Sequence, residues 1–154
     1  MQYQTVQKLR GVIFDFLENE VSGDITAPVG NYNNQSVCGL MGHVAACYIV
    51  WLGYFTTKLP PKPINIPTSL TGIRNLYNDV DDLVYQFLNE YGSRMDEIIS
   101  GVHDACGPVK VSAAQLFTHV YTHEFHHKGQ LMNMCRMLGH TPPDTDVSRL
   151  FEQA

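Results

Sequence analysis

The chain has 154 residues, 44% of them hydrophobic and 16% charged, so it is long enough for one globular domain over 1–154 and too apolar to be disordered. Its formal net charge is −5 and its basic residues form no run, which argues against a nucleic-acid partner, since binding phosphates needs clustered cations. The most apolar stretch, Val37 to Phe55, is interrupted by a histidine and several glycines, and the N-terminus has no signal-peptide pattern, so we expect no membrane partner.

Two helices are predicted in the first third of the chain. From Tyr3 to Glu20 apolar residues recur at steps of three and four, which is typical of an amphipathic helix. A loop rich in Gly, Pro and Asn follows over Ser22 to Asn34. Ser36 and two preceding asparagines are candidate caps of a second helix that runs to about Lys58. This helix is apolar nearly all round, so we expect it in the middle of the molecule.

A proline-rich connection separates the second helix from the third. The four prolines of Leu59 to Pro67 exclude a helix interior there and predict a stiff crossover. Ser69 or Thr71 caps the third helix, which we predict to run to about Ser100 with Gly92 as an internal weak point.

The last helix is predicted from Ser112 to Leu138. A turn region, Gly101 to Lys110, precedes it, and Gly139 supplies its C-terminal stop. Four long helices with short or proline-rich joints predict an all-α fold, a four-helix bundle.

The histidines give the strongest indication of chemistry. His123 and His127 lie four residues apart on the last helix, so their imidazoles lie one turn apart on nearly the same face and can bind one ion. His43, among small and apolar residues of the second helix, is the candidate third ligand. His119, also four residues from His123, is its rival. One metal ion would satisfy buried imidazoles that are otherwise costly to leave unpaired.

Residues 123–127 also match the zinc-protease pattern HExxH, in which Glu124 would act as a general base. The pattern is loose, and zinc proteases place it in a mixed fold with strands, which this sequence does not predict. We therefore favour a simple metal site over a protease. Glu124 and Gln130 are candidates to hydrogen-bond a metal-bound imidazole and fix its orientation.

Together, His43 in an apolar helix and the run from His123 to Gln130, HEFHHKGQ, resemble the DinB family (DinB/YfiT-like metalloenzymes). The family signature is a histidine, three residues, a histidine and then Arg-Gly-Gln. Lys128 stands here where arginine is usual. The resemblance covers essentially the whole chain in the order of its elements.

This resemblance implies an up-down-down-up bundle, consistent with the proline-rich crossover between the second and third helices. It implies a divalent transition metal, of nickel, zinc or manganese type, held by His43, His123 and His127. It also implies a homodimer. Imidazole ligands alone do not select the metal.

Characterised members of the family include thiol-dependent transferases, which use bacillithiol, mycothiol or glutathione, and a maleylpyruvate isomerase. The resemblance therefore implies a metal-dependent S-transferase that joins a small-molecule thiol to a small electrophile. A metal-dependent hydrolase and a non-catalytic, metal-stabilised dimeric module are the alternatives. Catalytic residues beyond the ligands are unknown from the sequence. The four cysteines lie far apart without a CxxC pair, which favours free thiols and a cytoplasmic location.

Overall fold

The computed structural model describes residues 2–58, 62–103 and 106–151, and within them the chain is mostly helical with one small sheet. The helices are α1 Gln2–Phe16, α2 Val37–Tyr48, α3 Leu70–Tyr91 and α4 Ala113–Met137, and the strands are β1 Ile98–His103 and β2 Gly107–Ser112. α1 and α2 continue into wider π-type turns over Leu17–Val21 and Ile49–Phe55, and short 3-10 turns lie at Gly30–Tyr32 and Val147–Leu150.

Serine side chains begin three of the helices. The hydroxyl of Ser36 accepts from an N–H in the first turn of α2, and Ser69 does the same in α3. At α4 the Ser112 hydroxyl accepts from the Gln115 N–H at 3.2 Å, while the Gln115 side chain accepts from the Ser112 N–H at 2.9 Å. These bonds satisfy N–H groups that a helix start leaves unpaired. The structure thus selects Ser36 and Ser69 among the candidate caps, and Ser112, the predicted start of the last helix, is the cap of α4.

The end of α4 also follows the prediction. Gly139 adopts a φ of +93°, a left-handed conformation that glycine enters without a steric penalty. It lets the His140 N–H donate to the Cys135 carbonyl at 3.0 Å, which satisfies a carbonyl of the last turn.

The prediction that the third helix runs to Ser100 is wrong. α3 ends at Tyr91, and Gly92 is its cap rather than an internal weak point. The chain then turns into β1, which pairs antiparallel with β2 in the register Ile98↔Ser112 to His103↔Gly107. The all-α expectation therefore holds only in part, because a β-hairpin connects α3 to α4.

The hairpin packs on the π-type turns that follow α2. Ile99 of β1 is buried, and a Cβ added at Gly101 would lie 2.8 Å from the Phe55 ring. Two isoleucines that fit the stripe of a longer α3 are instead the start of a strand, with Ile98 exposed and Ile99 inward. Alternation over so few residues resembles a helical stripe, which explains the error.

Contacts between helices give their relative directions. α1 runs antiparallel to α3, as the pairs Gln7–Tyr85 and Glu18–Arg74 show, and parallel to α4, as Tyr3–Phe117 and Arg10–Glu124 show. α2 runs parallel to α3, as the pairs Met41–Tyr77 and Gly53–Leu83 show, and antiparallel to α4, as His43–His127 and Cys47–His119 show. These directions are those of an up-down-down-up order.

The core lies between the four helices. Its most buried side chains come from each of them: Tyr3, Leu17, Val21, Val37, Tyr48, Ile73, Val80, Val84, Leu116, Val120, Met134 and Cys135. Among the described residues, the segment Val37–Phe55 is long and apolar enough to cross a membrane by length and composition alone, and half of its most apolar window is buried inside the molecule. α2 packs against both α3 and α4, as the central helix of a bundle does. Part of the predicted crossover, 59–61, lies outside the described residues.

Candidate metal centre

The structure brings His43 of α2 together with His123 and His127 of α4. One nitrogen of each imidazole lies within 4.8 Å of those of the other two. The centroid of the His43 ring lies 5.0 Å from the centroid of the His123 ring and 4.9 Å from that of the His127 ring. His123 and His127 meet because they lie one helical turn apart. His43 joins them because α2 and α4 pack against each other as antiparallel neighbours.

The crossover segment before α3 packs closely against α2 next to His43. A Cβ added at Gly42 would lie 2.1 Å from the Ile66 side chain, so only glycine fits there without movement. The segment before α3 therefore packs next to the start of the histidine site. His43 itself stays exposed, so the site opens to solvent on the α2 side.

The spacing of the nitrogens fits a single transition-metal ion. The Nε2 atoms of His123 and His127 lie 3.2 Å apart. Two bonds of about 2.0–2.1 Å separate their nitrogens by roughly 2.9 Å at a right angle and 3.4 Å at a tetrahedral angle. The observed distance lies between these values, and three neutral imidazoles suit zinc, nickel and similar ions.

Gln130 fixes which nitrogen of His127 is free to bind. The Gln130 Oε1 lies 2.7 Å from Nδ1 of His127, and its Nε2 lies 3.1 Å from Nε2 of His126. Because an amide oxygen only accepts, Nδ1 of His127 carries the proton and the lone pair is on Nε2. That lone pair is the one that faces His123. The amide contact to His126 is consistent with this orientation of Gln130.

Both α4 imidazoles of the cluster resist protonation. Burial, with the neighbouring imidazoles adding to it, lowers the pKa of His123 to about 4. Burial also lowers the pKa of His127, although the hydrogen bond with Gln130 opposes the change. At neutral pH both rings are uncharged, which a metal ligand requires. The Nδ1 atom of His123 is buried and has no hydrogen-bond partner among the described residues.

Within the part of the chain that the structure describes, Glu124 does not hydrogen-bond to any imidazole of the cluster, contrary to the candidate role that we gave it. Its carboxylate accepts from Nε of Arg10 at 2.9 Å and from the Tyr48 hydroxyl at 2.7 Å. On a helix the residue next to His123 points about 100° away, here into the core. It is therefore placed for structure and not for proton transfer at the histidines. The zinc-protease interpretation of HExxH loses its general base.

Arg10 is the centre of a buried polar network that the sequence analysis missed. It binds Glu124 of α4 and, through Nη1, Asp81 of α3 at 2.6 Å. The Tyr3 hydroxyl donates to the same Asp81 oxygen, and the guanidinium lies over the Tyr77 ring at 4.4 Å. The sequence does contain an indication of this network. Arg10 lies four residues after Val6 and three before Ile13, so this charged residue falls on the apolar stripe of the first helix.

The remaining histidines lie outside the cluster of three. His119 contacts the thiol of Cys47, and its ring centroid lies 5.8 Å from His123. His103, which falls in the predicted turn region Gly101 to Lys110, is the last residue of β1 and stacks on Trp51. His140, which follows the helix stop at Gly139, lies 2.9 Å from an Asp24 carboxylate oxygen. His126 is exposed.

Lys128 and the interior cavity bound the other side of the site. The Lys128 ammonium donates to the Thr145 carbonyl and lies 4.7 Å from the Phe125 ring, so it ties α4 to the C-terminal segment. A cavity of about 40 Å³ lies between α1, α2 and α4 beside His127 and Arg10. Pockets for organic ligands measure roughly 300–1,000 Å³, so this cavity is too small to hold one.

Comparison with known proteins agrees with this fold. The model of the DinB family matches residues 1–154. The fold is similar to the crystal structure of a DinB-like protein, YjoA, from Bacillus subtilis, with a TM-score of 0.64 and 23% sequence identity over 89% of this chain and 91% of that one. No curated protein sequence matches. Because the family model covers the full length of the chain, this protein belongs to the DinB family.

Proposed function

We propose that this protein is a metal-dependent enzyme that transfers a small-molecule thiol to a small electrophile, with His43, His123 and His127 as the metal ligands. The observation that carries the proposal is the convergence of one nitrogen from each histidine within 4.8 Å. Three protein ligands leave at least one coordination position for a reactant, whereas structural zinc sites close all four. A bound nickel, zinc or manganese ion would lower the pKa of a thiol and so supply a thiolate.

The chain's own residues prepare the site for this chemistry. Gln130 holds His127 in the tautomer whose free nitrogen faces His123. Burial keeps His123 uncharged at neutral pH, so protons do not compete for it. The exposed side of His43 gives a solute access to the cluster. Each feature supports an open, binding-competent site.

The position of Glu124 favours transfer over hydrolysis of the zinc-protease kind. Its carboxylate is engaged with Arg10 and Tyr48 in the core. A hydrolase would need another group to take a proton from water. Metal-dependent hydrolysis and a purely structural ion are therefore the alternatives that the experiment has to exclude.

The first test uses His43→Ala, since an exposed side chain is the ligand whose loss disturbs the fold least. Protein purified without a nickel column is analysed for bound metals and assayed with glutathione, bacillithiol and mycothiol against a chromogenic electrophile. We expect the variant to melt like the metal-free wild type and to lose both the ion and thiol transfer. His140→Ala, away from the cluster, is the matched control and keeps both.

Two results would contradict the proposal. A wild-type protein that turns over no thiol with nickel, zinc or manganese, yet hydrolyses an ester, supports the hydrolase. If no turnover of either kind appears and removal of the ion lowers the melting temperature sharply, the ion is structural. A structural ion stabilises the folded state by its binding free energy and needs no open position.

We further propose a homodimer in the cytoplasm with no nucleic-acid or membrane partner. The four free cysteines support a reducing compartment, and the net charge of −5 is unfavourable for binding phosphate backbones. The dimer rests on the resemblance to the family alone. Sedimentation equilibrium at micromolar concentration tests it, and a monomer mass would refute it.

A further inference from the structure

Glu124 lies within the turn of α4 that carries two of the three proposed metal ligands. It follows His123 directly and precedes His127 by three residues. Successive residues of a helix are about 100° apart, so its carboxylate faces the core while the imidazoles face the cluster. Whatever holds this carboxylate therefore also fixes the rotation of the turn from which both imidazoles project.

The Glu124 carboxylate is held by side chains of two other helices. Its Oε2 accepts from the Tyr48 hydroxyl of α2 at 2.7 Å and from Nη2 of Arg10 of α1 at 3.0 Å. Its Oε1 accepts from Nε of Arg10 at 2.9 Å, and Arg10 in turn binds Asp81 of α3 at 2.6 Å. One side chain in the ligand-bearing turn is thus connected to all three other helices.

Tyr48 is the partner of Glu124 that belongs to the helix of the third ligand. It lies five residues after His43 on α2, and long helical side chains lean toward the N-terminus of their helix, so its hydroxyl reaches back toward the level of His43. Its ring is fully buried. The hydrogen bond between Tyr48 and Glu124 therefore joins α2 to α4 on the core side, opposite the side on which His43 is exposed.

The position of His43 relative to α4 decides whether one ion can bind all three ligands. His123 and His127 share a helix, so helix geometry alone sets their separation. His43 comes from another helix, and its bond to an ion would be only about 2.0–2.1 Å long. Groups of a metal site have to be held within about 0.5 Å of their working positions. A buried hydrogen bond between α2 and α4, one residue from His123, supplies such a constraint.

We propose that Glu124 and Tyr48 are positioning residues of the metal site, which fix α2 against α4 so that His43 meets the two histidines of α4. Neither side chain binds the ion, and both act through the helices that carry the ligands. This role rests on the proposed function, since it requires the three histidines to be ligands. It gives the glutamate of the HEFHH sequence a task other than that of a general base.

A comparison of two buried tyrosine hydroxyls separates positioning from stability. Tyr48→Phe removes the hydrogen bond to Glu124 and keeps the ring. Tyr3→Phe is the matched control, because Tyr3 is equally buried and its hydroxyl bonds Asp81 of α3 and Arg10 of α1, with no printed hydrogen bond to α2 or α4. The affinity for Zn²⁺ is measured by competition with a chelator, and urea unfolding is measured without metal and at one fixed Zn²⁺ concentration.

Both variants should lower the free energy of unfolding of the metal-free protein. Only Tyr48→Phe should also weaken Zn²⁺ binding, by about tenfold, the lower end of the roughly 10–100-fold that loss of a group orienting a ligand costs. The stability gained from the fixed Zn²⁺ concentration should accordingly shrink in Tyr48→Phe and keep its wild-type value in Tyr3→Phe. A purely structural hydroxyl would lower stability with and without metal by the same amount.

Glu124 provides a second pair of variants in case Tyr48→Phe does not fold. Glu124→Gln keeps an oxygen that can accept from the Tyr48 hydroxyl, whereas Glu124→Leu does not, and both lose the ion pair with Arg10. We therefore expect Glu124→Gln to bind Zn²⁺ more tightly than Glu124→Leu, although both are less stable than the wild type.

Three results would overturn the positioning role: a wild-type affinity in Tyr48→Phe, an equal loss of affinity in Tyr3→Phe, or equal affinities in the two Glu124 variants. A wild-type protein that binds no Zn²⁺ would overturn the ligand set and the positioning role together. Failure of the proposed function gives a different result, because absence of thiol transfer leaves the order of the Zn²⁺ affinities unchanged.

Discussion

Replacing Arg10 tests whether the buried network holds the helices together. Arg10 is 6% exposed, and its partners Asp81 and Glu124 are 24% and 13% exposed. Arg10→Met keeps the apolar stem but leaves the carboxylate of Glu124 in the core without its cation. Removing one partner of a buried ion pair costs about 3–5 kcal/mol, most of it from the charge that remains.

The assay is urea unfolding of the metal-free protein at neutral pH, with the transition followed by circular dichroism. We expect the free energy of unfolding to fall by about 3–5 kcal/mol, with an unchanged dependence on urea. For a chain of this size each kcal/mol lowers the melting temperature by about 2–4 °C. The double variant with Glu124→Gln should lose less than the sum of the two single losses, because they remove one interaction.

Arg74→Met is the matched control. Arg74 also joins α3 to the π-type turns that continue α1, but it is 39% exposed and its partner Glu18 is 63% exposed. Exposed ion pairs contribute about 0–1 kcal/mol, so this variant should change stability little. If Arg10→Met destabilises the protein no more than Arg74→Met does, the network carries no special role and the reasoning is refuted.

Three further predictions follow from the site and the caps. Gln130→Leu frees the ring of His127 and should weaken metal binding about 10–100-fold in a competition titration, and an unchanged affinity would contradict the role of Gln130. The pKa of His123 is about 4 in the folded protein and about 6.5 in the unfolded chain, so between pH 4 and 6.5 the unfolded chain binds more protons than the folded protein. The metal-free protein should therefore lose stability as pH falls through that window, less so in His123→Asn, and equal pH profiles would exclude this cause. Ser112→Ala removes half of the capping box and should cost about 0.5–2 kcal/mol in urea unfolding, whereas a loss below this range would show that Gln115 suffices.

Features that depend only on neighbours a few residues away could be predicted from the sequence. The caps at Ser36, Ser69 and Ser112 and the stop at Gly139 each depend on a neighbour within about four residues, so their type and spacing suffice. The same holds for His123 and His127, since helix geometry alone puts residues four apart on one face.

Packing between distant segments decided the rest. The convergence of His43 on α4 depended on the antiparallel contact of α2 with α4, which the sequence analysis could infer only by supposing a shared core. The orientation of Glu124 depends on its ion pair with Arg10, which lies 114 residues away in the chain. The position of the hairpin depends on the close packing of Gly101 against the Phe55 ring. A short apolar run can form a helix or a strand, and a carboxylate can lie in a metal site or in the core. Contact with a residue from elsewhere in the chain decides between these alternatives. That selection is tertiary, because its energy comes from contacts that exist only after the segments meet.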